Sequence, residues 1–247
     1  MDTYRRIFAA TILVILNIAF TVCAQQPRPQ LDEATTPSVS DTGVEGTTEA
    51  LPQTKGDEPY TLRKGHNEFG FWAGGAFQAT TIFGGLHDDE ARDRGLFMAA
   101  FRYGRTLAAN DSMALQYTLD AIPIELAIGN ITSVTTVGPV TTFTRETTYG
   151  GGLTPLGLQL DFMNGSRVHP FVHVNGGGLI FSKSVPLPDA GRFAFVGEAG
   201  SGVRIFTSET RAITLGVRFH HISNGDRSGS NRGLNQFVVY GGFSIFK

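Results

Sequence analysis

The chain has 247 residues, 41% hydrophobic and only 17% charged, with 31 glycines, 19 phenylalanines and one cysteine. Average globular proteins carry about 7% Gly and about 25% charged residues, so this is not the composition of an ordinary soluble helical domain. Twenty basic against 22 acidic side chains leave no electrostatic footprint for nucleic acid, and the lone Cys23 allows neither a disulfide framework nor a Cys-rich zinc site.

Residues 1–24 open with Arg5 and Arg6, continue in an apolar run from Ile7 to Val22, and end on small residues at Cys23-Ala24. That order is a secretory signal peptide, and about 16 apolar residues are short for a membrane-spanning helix. Residues 25–66 follow as a Pro- and Thr-rich linker, with no aromatic residue between Gln25 and Pro59 and with seven acids against four bases. Such a stretch buries too little apolar surface to offset its ordering entropy, so a disordered spacer is expected.

From residue 67 to the end, period-two alternation replaces helical spacing. Eight strands are expected, around 69–77, 97–104, 113–121, 156–162, 168–175, 195–205, 215–220 and 237–246. Short turns follow the second, fourth and sixth, at Asn110-Asp111, Asn164-Gly165 and Ser208-Glu209. Longer loops follow the others, at about 84–94, 127–147, 183–190 and 224–234. An even number of strands, with short turns at one end and long loops at the other, is the pattern of an outer-membrane β-barrel. Alternation alone does not say which face is inside. The residue types do: one face of each strand is apolar, and the other holds small or ionisable residues such as Arg102, Asp120, Asp161, His173, Glu198, Arg204 and Arg218. An eight-stranded lumen is just wide enough for side chains. Residues 67–247 carry 14 acids and 14 bases, so those charges can pair there. The expected fold is therefore all-β: an eight-stranded antiparallel transmembrane barrel over 67–247, carried to the bacterial outer membrane by residues 1–24. A proline inside a strand needs a bulge or a strand end, which marks Pro155 and leaves Pro170 without an account.

The candidate chemistry lies near the C-terminus. His221 and Ser223 are two residues apart, so they project from the same face, the one carrying Leu215, Val217 and Phe219. On a barrel that face meets lipid. Asn235 begins the last strand on the face of Phe237 and Val239, one strand over. A hydroxyl, an imidazole and an amide thus converge on an apolar band, where polar groups are costly and invite a functional reading. A serine becomes nucleophilic with a base in hydrogen-bond reach and a third group holding that base. The bland alternative is solvation at a strand end. His220 points the other way, into the lumen.

The run His221-Ile222-Ser223-Asn224, with Asn235 eleven residues after Asn224, resembles the lipid A 3-O-deacylase (PagL) family. The stretch Gly150-Gly151-Gly152-Leu153-Thr154-Pro155-Leu156-Gly157 is also similar to the family. The resemblance implies an eight-stranded outer-membrane barrel that removes an ester-linked acyl chain from lipid A. It implies Ser223 as nucleophile, His221 as general base and Asn224 in the oxyanion hole. The family's acid falls on Asn235, which can orient a histidine but stabilises its imidazolium less than a carboxylate. Asp226, in the loop nearby, is a possible substitute. The implied partners are lipid A or lipopolysaccharide and the membrane, with no nucleic acid; the oligomeric state is left open. No cofactor and no metal are expected. His169 and His173, four residues apart on one strand, are separated by about 13 Å, too far to share an ion. The acidic run His87-Asp88-Asp89-Glu90 reads as a solvated loop before a Ca²⁺ site. The alternative to an esterase is a non-catalytic barrel acting through its loops, above all the Thr-rich 127–147, or through membrane integrity.

Overall fold

The computed structural model describes residues 59–82 and 85–247. Residues 1–24 and most of the 25–66 linker lie outside the described residues. Strands β1 (Asn67–Ala76), β3 (Gly95–Ala109), β4 (Met113–Val137), β5 (Val140–Phe162), β6 (Val168–Phe181), β7 (Phe193–Ser208), β8 (Arg211–Ser223) and β9 (Leu234–Phe246) pair in sequence order, all antiparallel. β1 also pairs with β9, which closes the barrel. A two-residue strand β2 (Ala79–Thr80) prolongs the β1 edge against the start of β9, and helix α1 (Asp88–Ala91) sits in the loop that follows. The expected eight-stranded barrel is therefore the fold. Each of the eight long strands has at least 10 residues, enough to cross a bilayer when tilted.

The barrel is inside-out relative to a soluble protein. Phe69, Phe71, Phe101, Leu156, Leu215 and Val239 are exposed on its outer wall. Arg102, Asp120, Asp161, His173, Glu198, Arg204 and Arg218 are all buried in the lumen. Their charges pair there. Arg102 binds Asp120 through two hydrogen bonds of 2.7 Å; Arg204 contacts Glu68 at 2.8 Å and Asp161 at 2.9 Å; Arg218 contacts Glu198 at 3.0 Å. The guanidinium of Arg218 also lies 3.9 Å from the centre of the Trp72 ring and 4.1 Å from that of Tyr240. A lumen this full needs small residues: a Cβ at Gly216 would stand 2.7 Å from the Tyr240 ring.

The lumen is not polar throughout. At the long-loop end, Leu86, Ala91, Val185, Leu187 and Ala190 descend from the loops onto Met98, Ile122, Leu179 and Phe181 and close it with an apolar plug. At the other end, Leu62 and Tyr60 pack with Phe206 and Phe246. Residues 60–62, placed in the spacer on composition, thus pack under the barrel, because Tyr60 and Leu62 bring the apolar surface that the preceding stretch lacks.

One departure from the sequence reading has a local cause. The Thr-rich segment 127–147 is not a loop: β4 and β5 run through it for 25 and 23 residues and meet only at Gly138-Pro139, where Gly138 takes a φ of +60°. Its Thr and Val residues are β-branched and suit an extended backbone, which outweighs the low hydrophobicity that suggests a loop. The prolines are also placed. Pro155 lies at the register shift between Leu153 and Leu156, a bulge, while Pro170 lies just beyond Phe171, the last residue of β6 paired with β5.

Candidate active site

Side chains on the outer face of β8 and β9 alternate as a strand requires, so Ile213, Leu215, Val217, Phe237 and Val239 face outward. His221 and Ser223 continue that outward row at the long-loop end of β8. In the β8–β9 register, His221 stands directly opposite Asn235. His221 Nδ1 lies 2.6 Å from Asn235 Oδ1. The Asn235 carboxamide is oriented from its other end, because its Nδ2 donates to the Ile82 carbonyl at 3.3 Å. With Oδ1 as the acceptor, His221 Nδ1 must carry the proton. Nε2 is then the ring nitrogen with a lone pair, which is the form a general base needs.

The structure therefore brings His221 and Asn235 into a bonded pair and sets Ser223 beside them. Their α-carbons are about 6.6 Å apart along the strand, on one face. Among the described residues, the hydrogen bond of His221 is to Asn235 and not to Ser223. On the other side of β8, Ser223 is opposite Phe195 and His221 is opposite Gly197. A Cβ at Gly197 would meet nothing within 4 Å, so one flank of the imidazole is open along the wall. At Gly233 the opposite holds: a Cβ there would be 2.5 Å from His221 Cε1, so only glycine lets the chain pass over the ring.

Asn224 is buried, and its carboxamide is already engaged. Nδ2 lies 2.9 Å from Ala190 O, 2.7 Å from Ser228 Oγ and 2.7 Å from Ser230 O, more acceptors than it has protons, while Oδ1 accepts the Asp226 N–H at 3.0 Å. The side chain ties two loops together, and both of its amide protons are taken there. Gly225 and Asp226 both have positive φ, 64° and 63°, and turn the chain sharply after Ser223. Asp226 is exposed, and the Nδ1 partner of His221 is Asn235. His220 faces the lumen, with Nδ1 2.9 Å from Glu198 Oε1 and Nε2 3.4 Å from Glu125 Oε1.

Residues that the sequence did not single out surround this pair. Asn235 has Thr80 of β2 on its far side. Thr80 also lines a groove of about 510 Å³ with Gln78, Ala79, Thr81, Asp88, Ala91 and Arg92. The acidic run 88–90 is not a solvated loop but the helix α1, closed by a capping box in which the His87 N–H donates to Glu90 Oε2 at 2.9 Å. Among the described residues, no group of three or more potential metal ligands converges.

Residues 124–244, which include the whole 221–235 segment, match the family model described as Lipid A 3-O-deacylase (PagL). Among solved structures, the chain is similar to the outer membrane enzyme PagL at 14% identity, over 72% of this chain and 98% of that one, with a TM-score of 0.50. It is also similar to Neisserial surface protein A (13% identity, 74% and 97% covered, TM-score 0.42) and to the outer membrane protein OprG from Pseudomonas aeruginosa (12%, 77% and 99%, 0.42). No curated protein matches the chain. The resemblance read from residues 221–235 is borne out by the family match, and the structural likeness bears on the fold.

Proposed function

We propose that this chain, whose residues 124–244 belong to the lipid A 3-O-deacylase (PagL) family, is a serine esterase of the bacterial outer membrane that removes an ester-linked acyl chain from lipid A or a related outer-leaflet lipid. The observation that carries this reading is the His221–Asn235 pair, bonded at 2.6 Å on the outer side of the barrel, with Asn235 buried, His221 half-buried and Ser223 on the same face.

The chemistry follows from the positions. A substrate ester reaches Ser223 from the lipid side. His221 Nε2 takes the Ser223 hydroxyl proton as Oγ attacks the ester carbonyl carbon. The resulting oxyanion is stabilised by backbone N–H donors in the turn after Ser223, at Asn224 and its successors. The intermediate collapses, the imidazolium gives its proton to the departing sugar oxygen, and an acyl-serine remains. Water, deprotonated by the same imidazole, then releases the fatty acid. Asn235 holds the tautomer throughout. A neutral amide stabilises the imidazolium less than a carboxylate, so turnover is slower than with an acid at this position. The polar groove beside Thr80 suits the headgroup of such a lipid.

The test is purified full-length protein in detergent with lipopolysaccharide. Wild type releases 3-hydroxy fatty acid, and Ser223→Ala and His221→Ala each lower the rate by on the order of 10⁴-fold or more. Equal release by wild type and Ser223→Ala rejects the reading. The second reading, a non-catalytic barrel, is favoured by the missing acid and the long β4–β5 ribbon; it predicts no Ser223-dependent release at all.

A further inference from the structure

The site sits at the very end of the β8–β9 ladder, where His221 pairs with Asn235 and Ile222 with Leu234. Ser223 and Asn235 are joined by a long loop, and the first residues of β9 have to arrive in register for Asn235 to meet His221. Three contacts, from Ile82, Gly85 and Glu90, hold that stretch. Arg232 Nη1 lies 2.5 and 2.6 Å from the two carboxylate oxygens of Glu90. Gly85 packs against the Gly233 backbone so closely that a Cβ on Gly85 would be 2.3 Å from Gly233 O. Gly233 in turn lies over the His221 ring. Asn235 donates to Ile82 O. Glu90 is itself braced: its side chain is 12% exposed, Oε2 caps α1 through the His87 N–H, and its carbonyl accepts from Arg94 Nε at 2.8 Å.

We infer that the Glu90–Arg232 ion pair is a positioning device for the esterase site, holding residues 232–235 against Ile82, Gly85 and Glu90 and so holding Asn235 on His221. The inference rests on the esterase reading. Neither side chain touches the reacting atoms. Without the pair, a largely buried carboxylate loses its ion-pair partner and the chain over the imidazole loses a tether. A misplacement of about 1 Å in such a site can lower a rate by about 100-fold.

The experiment compares Glu90→Gln, Arg232→Gln, Arg232→Lys and the exchanged pair Glu90→Arg/Arg232→Glu in full-length protein, each shown to be a folded barrel by heat-modifiable gel mobility. Lys183→Ala is the control, because Lys183 pairs with Glu146 elsewhere on the same rim. Rates are read as kcat and KM for fatty-acid release from lipopolysaccharide in mixed micelles, and the His221 Nδ1–H resonance is read by NMR. The two Gln variants lower kcat about tenfold or more with KM within about twofold, and they shift or lose the Nδ1–H signal. Arg232→Lys and the exchanged pair recover part of both, and Lys183→Ala changes neither. Unchanged kcat and an unchanged Nδ1–H signal in the Gln variants overturn the inference. So does a rise in KM confined to the Arg232 variants, which marks Arg232 as a ligand contact. If wild type shows no Ser223-dependent release, the esterase reading fails. The NMR signal alone then decides the positioning role.

Discussion

At the scale of single residues, the informative position is Asn235. Its Oδ1 receives the His221 proton and its Nδ2 donates to Ile82 O, so both ends of the amide are employed. Replacement by Ala removes the acceptor and frees the ring to change tautomer; Asn235→Ala should lower kcat by on the order of tenfold to a hundredfold, read in the lipopolysaccharide assay. Restoring a carboxylate has two opposed effects. It stabilises the imidazolium, but a carboxylate at the same distance turns an acceptor toward the Ile82 carbonyl where a donor stood. Asn235→Asp should therefore gain less than the general advantage of an acid, and Asn235→Glu, whose longer chain can leave Ile82 for the imidazole, should gain more. Equal rates for Asn, Asp and Glu in this position would deny Asn235 any part in orienting the base. Much of this was legible in the sequence, because parity alone puts His221 and Ser223 on one face and adjacency of the last two strands brings Asn235 near. Glu90 was not legible. It meets Arg232 across 142 positions, and no local pattern couples two residues so far apart.

At the scale of elements, the β4–β5 hairpin is the departure that matters. β3 pairs with β4 only up to Ile128, and β6 pairs with β5 only up to Gly150. Beyond those residues the two strands have only each other, as in Thr135 against Thr142 and Thr136 against Thr141. The base of the ribbon is tied down: Asn130 donates to Ser184 O at 2.8 Å, and Arg145 donates to Asp89 O at 2.7 Å. Phe143 packs against the apolar plug, while the ribbon beyond it, residues 135–142, is exposed. Replacing residues 135–142 with a short turn, which spares Phe143, should leave heat-modifiable mobility and Ser223-dependent release within about twofold of wild type, as expected for an exposed surface segment. Loss of release on trimming would move the function out onto the ribbon. The sequence reading failed here because Thr, Gly and Pro serve both turns and exposed strands. The pairing of two uncharged runs about a Gly-Pro turn was the signal available.

At the scale of the whole molecule, the apolar wall and the paired lumen are two halves of one arrangement, and the lumen decides whether the wall stands. The alternation that made the fold readable placed Arg204 inward, but only the closed barrel shows what it faces: Glu68 from β1, Asp161 and Gln116, with Phe246 under the guanidinium at 5.0 Å. These groups come from four different strands, so Arg204 ties together parts of the wall that are far apart along the ladder. Removing it leaves two buried carboxylates without their cation, a loss of about 3–5 kcal/mol by comparison with other broken buried pairs. Arg204→Met should therefore lower the temperature at which the barrel loses its heat-modifiable form and slow its assembly in vesicles. Replacing the group as a unit, Arg204→Met with Glu68→Gln and Asp161→Asn, removes the stranded charges and should recover most of the loss. The site lies at the opposite end of the barrel, near the long loops. The repaired triple variant should accordingly release fatty acid at the wild-type rate while Arg204→Met is limited by the amount of folded protein. A triple variant no more stable than Arg204→Met would show that the arginine acts through packing on Phe246, and not through the charges it neutralises.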